Sequence, residues 1–259
     1  MFSCCCAKVD YTWHPICDCP TNHNQCSQTC VNRQAHYGES YYDIAQDIYS
    51  AVRQSYPTSD IWFTGHSLGG SLATLLGLTN NLPAVAFEAP GELMFASRLN
   101  ILPPASALNW FWPSPKPKNP ATPDKPATPA EPGKPEKSPP THTYSYEMYR
   151  SFFDSVPIYH FGNNGDPIFL GVCTGPSSAC YYAGYAMESK CHIGKTCIYD
   201  IDNISRRMTP EKFLNASAHM DIRNHRIEKA LEWYMVPYDG VPKCQVETGC
   251  VDCELWEFS

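Results

Sequence analysis

The chain has 259 residues, a formal charge of −7 and a pI near 5.7. That length accommodates one α/β domain with a sizeable core, and the acidic balance leaves no basic footprint for nucleic acid. No apolar run approaches the roughly 18 residues that span a bilayer, and no charged segment followed by an apolar one opens the chain as a signal peptide does.

From Met1 to His36 neither helical nor strand periodicity is clean, and Trp13, Pro15, Asn22 and Asn24 sit among seven cysteines. The other seven of the fourteen lie between Cys173 and Cys253. An even total, with acceptor sequons at Asn203-Ile204-Ser205 and Asn215-Ala216-Ser217, points to disulfides and N-glycosylation at Asn203 and Asn215, both of the secretory pathway. Zinc bound through Cys250-x-x-Cys253 with His14 or His23 is the alternative, as are free buried thiols. With one C-x-x-C and no paired second one, no metal or other cofactor is expected.

Glu39 to Tyr56 reads as an amphipathic helix, begun at Ser40 or Gly38 and ended before Pro57. Its stripe of Tyr41, Ile44, Ala45, Ile48, Tyr49 and Val52 is expected to pack on the core. Next, Ile61-Trp62-Phe63 is a short β-prone run, Gly65-His66-Ser67-Leu68-Gly69 matches G-x-S-x-G, and Gly70 to about Leu78 continues as a small-and-apolar helix. Strand, sharp turn and helix is the context that makes G-x-S-x-G a nucleophile elbow, with Ser67 as its nucleophile. Gly65 and Gly69 would leave out Cβ atoms that collide in so tight a reversal. A second apolar strand, Pro83 to Pro90, completes a βαβ unit, so the two strands should be parallel neighbours covered on both faces.

Between Pro103 and Pro140 lie thirteen of the twenty-four prolines, with few large apolar residues, which predicts a disordered insertion carrying no site residue. Tyr144 to Phe153 reads as a short helix, Val156 to Phe161 as a strand and Gly162 to Gly165 as a loop. Asp166 follows that loop, at the carboxyl end of a strand, where open parallel sheets carry their functional groups. Cys173 to Cys197 reads as a cross-linked surface subdomain, Arg226 to Met235 as an amphipathic helix, and Lys243 to Ser259 as a cysteine-pinned tail.

A serine nucleophile needs a base, and the base an acid to hold its tautomer. In α/β-hydrolases these follow in the order Ser, Asp or Glu, His. Ser67, Asp166 and His225 obey it. His219 is the rival base and His192 a weaker one; His225 is preferred because it opens a helix whose packing would fix it. Asp200 and Asp202 are alternatives to Asp166, while Asp221 lies too close in sequence to the base. The Leu68 N–H is the candidate oxyanion donor.

Gly65-His66-Ser67-Leu68-Gly69-Gly70 together with Pro83-Ala84-Val85-Ala86-Phe87-Glu88-Ala89-Pro90-Gly91 resembles the class 3, or fungal triacylglycerol, lipases. Ser3-Cys4-Cys5-Cys6-Ala7, Gly165-Asp166-Pro167-Ile168, Ala183 to Glu188 and Asn224-His225-Arg226-Ile227 narrow the resemblance to the autophagy-related lipases among them. The resemblance covers the chain outside Pro103 to Pro140. It implies an α/β-hydrolase fold over residues 1–259, a mostly parallel sheet flanked by helices, with cysteine-rich excursions and the Pro-rich insertion. It also implies a Ser67, Asp166, His225 triad and hydrolysis of phospholipid or acylglycerol esters at membrane surfaces. Glycosylation and delivery by the secretory and endosomal route to multivesicular bodies and the vacuole lumen, where autophagic bodies are broken down, follow from it as well.

Members of that family carry an amino-terminal membrane anchor and an early strand whose loop supplies a second oxyanion donor. Neither is found between Met1 and Ser259, so the chain is expected to be an amino-terminally truncated form, with Met1 to His36 in the position of a lid. A non-catalytic fragment or lipid-binding pseudoenzyme with an incomplete oxyanion hole is the alternative function. An esterase of feruloyl or short-chain type is a third, since an elbow alone does not select the substrate.

Overall fold

A computed structural model describes residues 1–6, 16–37, 40–104, 106–108, 146–173, 180, 182, 187–205, 220–238 and 240–259. Most of the Pro-rich stretch, the sequon at Asn215, the rival base His219, His14 and most of Ala183 to Glu188 lie outside them. In chain order the elements are β1 (Pro20–Asn22), β2 (Gln25–Cys26), α1 (Gln28–Ala35), α2 (Tyr41–Ser55), β3 (Phe63–His66), α3 (Leu68–Asn80), β4 (Ala84–Phe87) and α4 (Leu93–Arg98). After them come α5 (Tyr146–Ser155), β5 (Ile158–Asn163), β6 (Lys195–Tyr199), α6 (Ile201–Ser205), β7 (Cys244–Gln245) and β8 (Glu257–Phe258). Between α6 and β7, a 3-10 turn (Ile222–His225) leads into a helix that is α over Ile227–Lys229 and π over Ala230–Met235.

The main sheet has the order β3-β4-β5-β6-β7. Its first four strands are parallel and β7 is antiparallel to β6. Strand β3 pairs with β4 over Phe63 to His66 and Ala84 to Phe87, as a βαβ unit requires. Helix α3 lies against both strands and is buried over much of its length; Gly77 lets it approach so closely that an added Cβ would stand 2.8 Å from that of Ala84. This is an α/β-hydrolase sheet, and it brings the carboxyl ends of β3, β4, β5 and β6 to one edge.

Three elements depart from the sequence-based expectation. In α2 the predicted apolar stripe does not face the core: Tyr41, Ile44, Ile48 and Val52 are 65%, 44%, 60% and 38% exposed. The helix instead contacts α3 and β3 through a neighbouring face. Tyr42 Oη meets Thr79 Oγ1 at 2.6 Å, Asn80 Nδ2 donates to Gln46 Oε1, and the Tyr49 ring stands edge-on to Phe63. Hydrogen bonding by Tyr42 and Gln46 turns a polar-looking face inward, which an apolar periodicity cannot register. Its start is as expected: Ser40 and Asp43 form a reciprocal capping box.

The second departure is β6. The Cys173 to Cys197 stretch was expected to be a surface subdomain, yet Cys191, Ile193 and Cys197 are buried and Lys195 to Tyr199 is an inner strand of the main sheet. Its lysine, threonine and cysteine obscured the strand pattern. Third, Met1 to His36 contains helix α1, whose one fully buried residue, Val31, is too little to give a periodic signal. The described part of this segment is bound to the carboxyl tail: β2 pairs with β8, and Gln28 N–H donates to the Ser259 carbonyl.

All fourteen cysteines are paired, as Cys4–Cys253, Cys5–Cys26, Cys6–Cys17, Cys19–Cys30, Cys173–Cys180, Cys191–Cys250 and Cys197–Cys244. Cys250 and Cys253, the thiols of the zinc alternative, are thereby consumed in disulfides to Cys191 and Cys4. Among the described residues no helix is long and apolar enough to cross a membrane.

Candidate active site

Ser67 sits between β3 and α3 with φ of 56°, a left-handed conformation that a residue with a side chain adopts at a cost of about 1–3 kcal/mol. The surroundings enforce it. Ser67 N–H donates to the Phe87 carbonyl at 3.0 Å, while the Ser67 carbonyl accepts from Gly70 and Ser71. Gly65 is obligatory, since a Cβ there would stand 2.2 Å from the Gly69 carbonyl oxygen. The second crowded glycine is Gly70, 2.8 Å from Ala89 Cβ; Gly69, expected from the motif to be crowded, would meet nothing within 4 Å. A sequence pattern marks both flanking glycines alike, but the close approach is of Gly65 to the Gly69 backbone, and a Cβ on Gly69 would point into open space.

Asp166 follows β5 and is fully buried. Its loop is held by Asn163, whose Oδ1 accepts from Gly165 N–H at 3.0 Å and whose carbonyl accepts from Asp166 N–H at 3.2 Å. Asp166 Oδ1 accepts from Ile168 N–H at 2.9 Å. His225 ends the 3-10 turn, whose start is capped by Asp221 accepting from Arg223 N–H. Asn224 anchors the turn by donating to the Gly165 carbonyl at 3.1 Å and accepting from Tyr234 Oη at 2.6 Å.

These elements bring three side chains into a row. His225 Nδ1–H donates to Asp166 Oδ2 at 2.7 Å, and Ser67 Oγ–H donates to His225 Nε2 at 2.7 Å. An ionised carboxylate only accepts, so the Asp166 contact sets the Nδ1–H tautomer and leaves Nε2 with a free lone pair toward the serine. The row is graded in access: Asp166 is buried, the His225 side chain is 14% exposed and Ser67 is partly exposed. That arrangement can deprotonate Ser67 as it attacks and keep the resulting imidazolium beside a negative charge. Leu68, the first residue of α3, has an N–H with no acceptor inside its own helix, as first-turn groups do.

The competing residues stand elsewhere. His192 is buried, with Nδ1 bonded to Glu247 Oε1 at 2.8 Å and Nε2 to the Ala89 carbonyl. Asp200 accepts from Asn164 and from Asn203 N–H, and Asp221 pairs with Arg223. Asn203, the described glycosylation candidate, is exposed.

Two groups of the site were not singled out from sequence. His66 Nε2–H donates to the His225 carbonyl at 2.7 Å; burial pushes its imidazole below its ordinary pKa, against that hydrogen bond, which favours the charged ring. Glu88, at the end of β4, is fully buried beside Asp166, and burial with the Asp166 charge pushes its carboxyl well above the ordinary range. The legible signal was a single carboxylate closing the apolar run Ala84 to Phe87.

Residues 6–81 match the model of the class 3 lipases, a span that ends at the close of α3. Along its whole length the chain is similar to curated yeast proteins named putative lipase ATG15. It is 37% identical over 258 residues to those of Saccharomyces cerevisiae (strain YJM789) and Candida glabrata, covering 39% and 40% of those proteins. It is 36% identical over 259 residues to that of Yarrowia lipolytica, covering 37% of it. The chain thus spans about two fifths of the length of the relatives it matches. No solved structure matches. Matched across the elbow by that family model and aligned from end to end with these yeast proteins, the chain is similar to the class 3 lipases.

Proposed function

We propose that this chain is a serine carboxylic-ester hydrolase that cleaves acyl esters of phospholipids or acylglycerols. The observation that carries the reading is the continuous pair of 2.7 Å contacts from Ser67 Oγ through the His225 ring to the buried Asp166 carboxylate. In it, His225 Nε2 takes the Ser67 proton as Oγ attacks the acyl carbonyl, and Asp166 stabilises the imidazolium. The Leu68 N–H stabilises the tetrahedral oxyanion, a contribution of about 100-fold or more in rate for such a donor. The imidazolium then protonates the departing alcohol. Water, deprotonated by His225, releases the fatty acid and restores Ser67.

Fluorophosphonate labelling tests this directly. The reading expects covalent labelling and hydrolysis of a soluble p-nitrophenyl ester, both lost in Ser67→Ala. Labelling that persists in that variant at another residue overturns it. On the names of the yeast relatives and the resemblance read from the sequence, we extend the reading to lipid breakdown at vesicle and autophagic-body membranes in the vacuole lumen, reached by the secretory route. Endoglycosidase sensitivity of the cell-derived chain checks that route, and an unglycosylated chain confined to the cytosol argues against it.

A further inference from the structure

Glu88 follows β4 with its backbone in the left-handed region, φ 46°, and with its side chain shut off from water. Oε1 accepts from Asn163 Nδ2 at 2.9 Å, and Oε2 from the Asn163 backbone N–H at 3.2 Å. Its carboxyl lies beside the Asp166 side chain, whose charge acts on it. Two ionised carboxylates cannot donate to one another, so a hydrogen bond between them requires a proton held by the pair. Asp166 already accepts from Ile168 N–H on Oδ1 and from His225 Nδ1–H on Oδ2, so both of its oxygens serve as acceptors. Glu88 is answered only by neutral amide groups of Asn163, so the proton resides on Glu88.

We propose that Glu88 is a positioning residue for Asp166: its carboxylic acid donates to the Asp166 carboxylate, so the pair presents one negative charge to His225 and the carboxylate is held in line with the imidazole. This rests on the Ser67, His225, Asp166 reading above and adds to it the group behind the acid. Burial, the largest influence, and the charge of Asp166 both favour the neutral form of Glu88. The titratable groups that face it are Asp166 from the loop after β5, Tyr199 of β6 and Tyr234 of the π-helical segment, with His225 beyond Asp166. Both tyrosines are themselves pushed toward their neutral forms, chiefly by burial. Asn163 links this pair to the turn that carries His225, since its Nδ2 also donates to the Asn224 carbonyl at 3.2 Å.

The protonation state distinguishes this role from packing alone. Glutamine copies a neutral carboxyl: its amide can donate to Asp166 while its oxygen accepts from Asn163 Nδ2, with only the long contact from the Asn163 backbone given up. In wild type, ionisation of Glu88 at rising pH puts a second charge behind Asp166 and breaks the bond; in Glu88→Gln nothing there ionises.

The test is hydrolysis of p-nitrophenyl butyrate by the full 259-residue chain from about pH 5 to about pH 9.5. Glu88→Gln should keep at least about a third of the parent kcat and lose the alkaline decline, whereas Glu88→Ala should lose about 100-fold in kcat with KM within about twofold. Glutamine and alanine variants equally slow, or both retaining the parent pH profile, overturn the proposal. A second measurement does not need activity: thermal unfolding of Ser67→Ala against Ser67→Ala/Glu88→Gln across the same range. A proton bound more tightly in the folded state makes stability fall as pH rises from the ordinary carboxylate range through the raised pKa. The glutamine variant should remove that fall, and an unchanged slope overturns the proposal. Undiminished hydrolysis by Ser67→Ala would instead overturn the nucleophile, leaving the unfolding comparison to decide on Glu88.

Discussion

The imidazole of His66 and the backbone carbonyl of His225 meet at 2.7 Å, so the residue before the candidate nucleophile fixes the backbone of the residue that would deprotonate it. The elbow therefore carries a base-holding group as well as the serine. His66→Ala should lower kcat by about tenfold with KM little changed, because the His225 ring loses one constraint on its approach to Ser67. Steady-state kinetics on a soluble ester check this, and His66→Gln, which can still donate, should recover part of the loss.

The two glycines of the motif should separate cleanly. Gly65→Ala forces a Cβ against the Gly69 carbonyl at 2.2 Å, backbone against backbone, and should destabilise by about 3 kcal/mol or prevent folding. Gly69→Ala meets nothing within 4 Å and stands in a helix, where alanine is favoured by up to about 1 kcal/mol. Urea unfolding of the two variants checks the contrast.

His192 supplies a pH dependence away from the candidate active site. Burial lowers its pKa, but the Glu247 charge and hydrogen bond, with Glu92 and the Ala89 carbonyl, outweigh burial and raise it to about 9. The folded pKa lies above the ordinary value of about 6.5, so this stabilisation is complete below about pH 6.5 and is lost as pH rises through about 9. Glu247→Gln should accordingly lower the melting midpoint by about 5 °C near pH 6 and have little effect above about pH 9.5. Calorimetry at the two pH values checks this.

Removal of Cys4–Cys253 by Cys4→Ser/Cys253→Ser should be costly, since it joins residues 249 apart in sequence. Chain-entropy reasoning gives about 5.5 kcal/mol, reduced where other bridges already shorten the loop. Removal of Cys173–Cys180, which closes a separation of only 7, should cost about half as much by the same reasoning. Denaturant midpoints of the two double variants check the ranking.

What the sequence made legible was order and local context. Ile61 to Gly70 announced a strand, a turn and a helix, and the order Ser67, Asp166, His225 picked out three side chains that the fold brings into contact. Hydrophobic periodicity failed where polar groups form the contact, as with Tyr42 and Gln46 in α2. It failed again where a buried strand carries polar residues, as in β6. The roles of Glu88 and Asn163 were not legible for another reason: a buried carboxyl, even one that closes an apolar run, and a buried amide acquire meaning only from partners at the ends of other strands. The sequence shows each of them once, with nothing beside it to say which neighbour the fold will choose.

The disulfide pattern divides the molecule in an unexpected way. Cys5–Cys26, Cys6–Cys17 and Cys19–Cys30 close within the part of the chain before residue 109, and Cys173–Cys180, Cys191–Cys250 and Cys197–Cys244 within the part after residue 145. Cys4–Cys253 alone crosses between them. A single proteolytic cut in the Pro-rich stretch between 109 and 145 would therefore yield a two-chain molecule, Ser67 on one chain and Asp166 with His225 on the other, tethered by one sulfur bridge that a reductant can open.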